Sequence, residues 1–284
     1  MKYNFSLQYP KTRDPKPVSK VLQELLIPRK WRHELRTNKV VLINQNYRNF
    51  NELVYPEDQI DLTFEYTSQQ QEYPASGQMP DVVYEDQDIL IINKKAGQKT
   101  HPNLFETDTA LNDCATYLHA SPYIVHRLDM LTSGLLLVAK NPIVVSLLNR
   151  QLISKEFKRD YLAKVNLNSE IASSGTIDFP IGQDLADQRK RKVDPNGLKA
   201  ITHYQIIKKD ADTATLKLSL DTGRTHQIRV HLAAIGCPII GDPLYNPNYE
   251  AGQQLQLQAF QIALTKPFSY EELKVKLTRD KMIL

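Results

Sequence analysis

Three short segments place polar side chains inside otherwise apolar sequence, and these are where chemistry is most readily found. The first, Val125 to Gly134, reads VHRLDMLTSG and sets His126, Arg127 and Asp129 between Ile124-Val125 and the apolar run Leu135 to Val138. A carboxylate that close to core strands is costly unless a cation or hydrogen-bond donors meet it. Asp129 is therefore either a positioned nucleophile or base, or an aspartate that caps a turn, and local physics by itself favours the turn. The second segment, FKRDYLAKV, carries Tyr161 in a strand pattern. A half-buried core tyrosine is the ordinary reading, and an aromatic face for a nucleobase with a hydroxyl for proton transfer is the functional one. The third, DTGRTHQIR, delivers Arg224 from a glycine turn just before a helix start, where anions are favoured. A lone turn arginine is usually surface; this one could instead neutralise Asp129 or hold a phosphate.

Other chemistries find no ligand set or nucleophile motif. His226 and His231 stand five apart, which places them about 140° apart around a helix and off a common face. HExxH, clustered carboxylates and paired cysteines are missing, so a metal is not expected. There is no GxSxG elbow, Walker-type loop or GxGxxG fingerprint, which argues against a serine hydrolase and a nucleotide cofactor. Cys114 and Cys237 lack metal-ligand spacing and sit among apolar or small neighbours, as core thiols do.

The elements that must position these residues fall on either side of Thr67 to Asp81, TSQQQEYPASGQMPD, which has no apolar periodicity and reads as a linker. Before it, residues 1–66 form a small unit. Val18, Leu22, Leu25 and Leu26 have helical spacing, Pro28 redirects the chain, and WRHELRTN makes a short basic helix. VVLINQNYRNF and QIDLTFEY follow as strands. After the linker, residues 82–284 give strands at DILIIN, Gly134 to Lys140, RDYLAKVNL, AITHYQIIKK, ATLKLSLDTG, LQLQAFQIAL and LKVKL. Helices are expected from Thr109 to His119, from Pro142 through Asn149, and from His226 to about Ile235 behind a Thr225 cap. Strands outnumber helices without regular alternation, so the fold class is α+β rather than doubly wound.

With 24% charged and 41% apolar residues the composition is that of an ordinary globular protein. The net charge of +4 barely favours a polyanion, but its distribution says more. Between Lys11 and Lys39 nine Lys or Arg face three Asp or Glu, and Arg189 to Lys192 is a second basic run. Such runs are usually solvated faces; two of them tilt the reading toward phosphate contacts. The first residues lack an apolar h-region and no run approaches a membrane span, so a cytoplasmic protein without membrane contact is expected.

At the three polar segments the chain resembles the RluA-type pseudouridine synthases, which isomerise uridines in ribosomal or transfer RNA. HRLDMLTSGLLLVAK resembles the motif whose aspartate is catalytic, which implies that role for Asp129. FKRDYLAKV resembles the motif with an active-site tyrosine, here Tyr161. TGRTHQIRVHLAAIGCPIIGDPLY resembles the motif whose arginine partners the carboxylate, assigned here to Arg224. The resemblance runs from about Val82 to Pro267 and implies a mixed, largely antiparallel bent sheet flanked by helices. It further implies RNA as partner, a base-flipping reaction and no cofactor; a monomer is expected. Arg127 is expected to enter the RNA stack, Leu257 to pack on the uracil, and His126 to lie beside the substrate.

Two departures stand out: Lys95 replaces a usual proline in KKAGQKTHP, and Gln258 replaces a usual histidine after Leu257. The N-terminal unit resembles a divergent form of the small RNA-binding domain often fused to these enzymes. The competing expectation is a catalytically inactive RNA-binding or ribosome-assembly protein. A metal-free hydrolase using Asp129 and His126 is a more distant one.

Overall fold

A computed structural model describes residues 1–66, 72–167 and 170–283. Its largest feature is a sheet of ten strands. They run in the order Ser174–Ile177, Thr202–Lys209, Thr213–Leu220, Lys158–Asn166, Leu257–Thr265, Ser133–Ala139, Ile89–Lys94 and Val82–Glu85. Glu272–Lys276 and Tyr123–Ile124 pair beside Leu257–Thr265 and Ser133–Ala139, respectively. All neighbours are antiparallel except Ser133–Ala139 against Leu257–Thr265, so the sheet is mixed and largely antiparallel, as the α+β expectation had it.

The strand Ser133–Ala139 is buried along its whole length, and its alternation divides the hydrophobic interior in two. Leu135, Leu137 and Ala139 face one core together with Ile89 and Ile91. Leu136 and Val138 face the other with Leu90 and Ile92. A strand covered on both faces reads as a continuous apolar run, which is the pattern of this segment.

Five α-helices are described: α1 Val18–Glu24, α2 Arg29–Thr37, α3 Ala110–Leu118, α4 Pro142–Ser154 and α5 Gln227–Ala234. Their ends follow local chemistry. Asn141 caps α4 by accepting from Val144 N at 3.0 Å, with Pro142 at the first helical position. Thr109 and Asn112 form a capping box on α3. Helix α5 begins after His226, which is left-handed at φ 58°, rather than at a Thr225 cap.

The N-terminal unit has α1 and α2 beside a sheet ordered Lys2–Gln8, Gln59–Glu65, Val41–Ile43, Asn46–Tyr47. The expected long strand VVLINQNYRNF is instead a tight hairpin. Asn44 and Gln45 both take positive φ and fold Asn46–Tyr47 back on Val41–Ile43, the geometry of a two-residue primed turn. Hydrophobicity alone does not reveal such a reversal.

The two units share one core. Phe5 stacks on Phe268 with ring centroids 3.8 Å apart, and Trp31 and Leu35 of α2 belong to the same apolar cluster as Val144, Leu147 and Leu148 of α4. Of the segment expected as a linker, residues 67–71 lie outside the described residues. Its second half departs from a free tether. Asn112 Nδ2 donates to Pro74 O at 2.7 Å, Ser76 Oγ donates to Asp113 at 2.6 Å, and Tyr73 is buried. Polar side chains of α3 hold a segment that has no apolar periodicity of its own. Cys114 and Cys237 are buried thiols. Among the described residues no helix is long and apolar enough to cross a membrane.

Candidate active site

Asp129 lies in the loop between Tyr123–Ile124 and Ser133–Ala139, and the residues around it explain how a carboxylate is held there. Thr132 N donates to Asp129 O at 3.1 Å, which closes a turn. Thr100 Oγ1 donates to Leu128 O at 2.7 Å and accepts from Leu128 N at 3.1 Å. On the other side of the aspartate, Gly97 N and Lys94 Nζ both donate to Met130 O, at 2.9 and 3.1 Å. The KKAGQKTHP segment thus clamps the loop one residue before and one residue after Asp129. Lys94 is buried, and its ammonium also donates to the carbonyls of Lys95 and Gln98. Burial pushes its pKa down to about 8 against the opposing pull of Asp129.

A cleft of about 500 Å³ opens over Asp129. Tyr161, on Lys158–Asn166, and Leu257, on the adjoining strand, line it from the sheet. The parallel pairing that brings Leu257 close depends on Gly134. Its φ is 106°, and a Cβ there would meet Ala259 O at 2.1 Å. Only glycine permits the approach. Burial raises the Tyr161 pKa, with the Asp129 charge adding to it and Arg159 opposing, so the phenol holds its proton at neutral pH.

The cation facing the carboxylate is Arg229. Its Nη1 lies 4.0 Å from Asp129 Oδ2, while Nε and Nη2 make a two-pronged hydrogen bond to Asp242 at 2.8 and 2.7 Å. Both side chains are buried, and Asp242 also accepts from the backbone N–H groups of Leu244 and Tyr245. Burial works against the Arg229 charge, but the hydrogen bond and charge of Asp242, joined by Asp129, outweigh it and raise the pKa. His226 Nε2 also lies 4.0 Å from Asp129 Oδ2, and its Nδ1 is 2.8 Å from the Tyr245 hydroxyl.

Arg224, expected as the carboxylate's partner, is placed otherwise. It is exposed on the cleft rim, its Nε donates to Lys199 O at 3.0 Å, and its backbone N–H donates to the Gln227 side chain. The turn aims it outward, and the arginine five residues later on α5 takes the place beside Asp129. That corrects the assignment made from the sequence motif. His126, expected beside the substrate, is in the cleft lining and is largely buried. Its ring is in the core, edge-on to Phe157, and Nε2 accepts from Leu137 N at 3.0 Å. Burial, helped by the Arg159 charge, pushes its pKa down to about 3, so it is neutral and fixes the loop to the strand. Arg127 is exposed at the cleft wall.

The two departures from the motif pattern are placed as follows. Lys95 is exposed, and Gln258 alternates to the face opposite Leu257, where it holds Lys281 O and Ile283 N. Sequence reading did not single out Lys94, Thr100, Arg229 or Asp242, although all four lie in segments it quoted. A buried cation inside an apolar strand end was the available signal for Lys94. Among the described residues no group of three or more His, Cys, Asp or Glu is placed to hold a metal ion.

Comparison with known proteins returns two family matches. Residues 88–234 match the family described as RNA pseudouridylate synthase, and residues 5–60 match the RluD ribosomal pseudouridine synthase N-terminal domain. The chain is 38% identical over 217 residues to a Bacillus subtilis protein named as an uncharacterized RNA pseudouridine synthase, YlyB, covering 73% of this chain and 71% of that one. It is 41% identical over 174 residues to the ribosomal large subunit pseudouridine synthase D of Escherichia coli, covering 58% of this chain and 52% of that one. Among solved structures, human RNA pseudouridylate synthase domain containing 1 superposes with a TM-score of 0.60 at 24% identity. That alignment covers 72% of this chain and 85% of the human one, and it supports the fold.

Proposed function

The chain belongs to the RNA pseudouridylate synthase family, and from that premise we propose that Asp129 is the carboxylate with which it converts uridine to pseudouridine in large-subunit ribosomal RNA. The observation that carries this reading is the composition of one cleft. It combines a partly exposed carboxylate, a buried arginine 4.0 Å away that is itself locked to a second aspartate, and a tyrosine and leucine on the adjoining strands. The choice of ribosomal RNA rests on the printed names of relatives such as synthase D of Escherichia coli.

The reaction breaks the bond from uracil N1 to the ribose anomeric carbon, turns the base, and forms a bond from C5 to the same carbon. The C5 proton leaves and N1 gains one, so there is no net redox change. Asp129 acts at the ribose, as a nucleophile on the anomeric carbon or as a base beside it; both routes need the same placement. Arg229 fixes the carboxylate and screens its charge at no reorganisation cost, because Asp242 already holds it. The Tyr161 ring stacks on the flipped base. Its raised pKa suits a neutral hydrogen-bonding phenol better than a free base. Leu257 closes the apolar side of the uracil, and Arg127 takes the position vacated in the RNA, offsetting a few kcal/mol of unstacking. Residues 82–284 carry this chemistry, and residues 1–66 act as an RNA-docking unit. We place the protein in the cytoplasm, and as a monomer, the latter of which gel filtration checks.

The test is Asp129→Asn. The variant should bind RNA as the wild type does and form no pseudouridine, read by chemical mapping of a large-subunit ribosomal RNA transcript. Retained turnover would show that another group is the reacting one. RNA binding by the wild type without any product would favour the inactive, ribosome-assembly alternative.

A further inference from the structure

His226 stands immediately before α5 in the left-handed region, at φ 58°, where a residue other than glycine is uncommon. Its ring is held from one side by Tyr245. Nδ1 lies 2.8 Å from the Tyr245 hydroxyl, and the two rings meet edge-on with centroids 5.6 Å apart. The same hydroxyl accepts from the backbone N–H of Arg191 at 2.8 Å, where the strand Arg191–Val193 begins. With that N–H donating to its oxygen, the hydroxyl proton has one acceptor among the described residues, Nδ1 of His226. The neutral imidazole then carries its own proton on Nε2. That nitrogen faces Asp129 Oδ2 at 4.0 Å, the oxygen that Arg229 Nη1 also faces at 4.0 Å. A lone pair turned on a carboxylate would be repelled, so this second contact asks for the same tautomer. Burial lowers the His226 pKa against the pull of Asp129, which keeps the ring neutral at neutral pH.

Tyr245 is common to both donors. Its backbone N–H donates to Asp242 at 3.2 Å, its ring centroid lies 5.0 Å from the Arg229 guanidinium carbon, and its hydroxyl holds His226. Resting on the RNA-modifying reading above, we propose that His226 is a second positioning residue for Asp129. Tyr245 sets its tautomer, so that its Nε2–H and the Arg229 guanidinium together grip one carboxylate oxygen and leave Oδ1 to act at the ribose. Among the described residues no donor reaches Oδ1. A separation of 4.0 Å is longer than a hydrogen bond, and such contacts tighten when a substrate closes the site. Two donors on one oxygen stop the carboxylate from rotating, and a group that must act at one carbon gains from that alignment. A neutral donor suits the second position. Arg229 already supplies the counter-charge, and a further cation would make the reacting oxygen less basic. The residues that line the cleft include its neighbours Thr225 and Gln227 but not His226, which therefore acts through Asp129.

The experiment uses the full chain and a large-subunit ribosomal RNA transcript, with kcat and KM for pseudouridine formation as readouts. His226→Asn tolerates the left-handed backbone and keeps a polar group near the Nδ1 position, but it is too short to reach Asp129. It should lower kcat about 10–100-fold and leave KM within about twofold, as the loss of one preorganised donor does. His226→Gln carries an amide N–H out to the Nε2 position and should return kcat to within about fivefold of wild type. Tyr245→Phe keeps the ring beside Arg229, loses the hydroxyl, and should lower kcat about tenfold. Added to His226→Asn it should cost almost nothing more, because the hydroxyl works through the histidine. Full additivity of those two substitutions would overturn the proposal. So would a glutamine variant that melts like the wild type and is no faster than the asparagine one, or a rise in KM with kcat unchanged. Wild-type kcat in His226→Asn beside an inactive Asp129→Asn would remove His226 alone. Turnover by Asp129→Asn would instead remove the reading of the carboxylate on which the proposal rests.

Discussion

The buried wall and the rim of the Asp129 cleft are both arginine-bearing, and they treat the charge in opposite ways. On the wall, Arg229 is buried and locked to Asp242 by two hydrogen bonds before any substrate arrives. On the rim, Arg224 is exposed and its side chain is held by one backbone carbonyl, that of Lys199. A cation that must align a reacting carboxylate gains from being immobile, because reorganisation during the reaction is then avoided. A cation on an exposed rim is satisfied by water and needs no such lock. The two regions separate preorganised charge from available charge, and substitutions can test each side of that division.

The largest effect falls on the carboxylate the cleft is built around. Asp129→Asn should cut pseudouridine formation by roughly 10⁴-fold with little change in melting temperature. A merely structural aspartate would give the opposite split. Next is the lock itself. Arg229→Met strands Asp242 in the core and should cost about 3–5 kcal/mol in chemical denaturation. Pairing it with Asp242→Leu should restore most of that stability and none of the activity. If activity returned with stability, Arg229 would be a packing residue only.

The clamp on the Asp129 loop is a smaller target. Lys94→Met removes the donor to three carbonyls and should destabilise by about 2–3 kcal/mol. Its pH signature has a definite sign. The native Lys94 pKa is lowered to about 8 from 10.5. Between those values the native state gives up a proton that the unfolded chain keeps, so stability rises with pH. Wild type should gain on Lys94→Met across that window in paired denaturation curves; a loss would contradict the burial of the charge. Smallest is Arg224→Ala. A rim residue held by one backbone carbonyl should change kcat by about twofold at most. A collapse in kcat would return to Arg224 the role that the geometry gives to Arg229.

Much of the large sheet was legible because its strands alternate or run apolar without a break. DILIIN and RDYLAKVNL appear within a residue or two of their expected limits, at Ile89–Lys94 and Lys158–Asn166. The hairpin at Asn44-Gln45 was not legible, since neither residue is a glycine and the reversal shows only in the dihedral angles. The sequence did not show that the His126 ring accepts from the Leu137 N–H, a contact that ties the Asp129 loop to the buried strand.

Through its resemblance to a family motif the sequence pointed to the segments that meet in the cleft and to Asp129 among them, whereas its local physics alone favoured a turn aspartate. Only the tertiary structure decided which arginine meets it. Arg224 and Arg229 stand in one short motif, and α5 is buried on several sides, with Gln227 through Leu232 all inaccessible. Helical periodicity marked the face of Ile228, Leu232 and Ile235 as inward and gave no sign that Arg229 is buried as well. The choice was made by Asp242, distant from the motif's start and brought under α5 by the chain's return, because a buried guanidinium settles where a second carboxylate holds it.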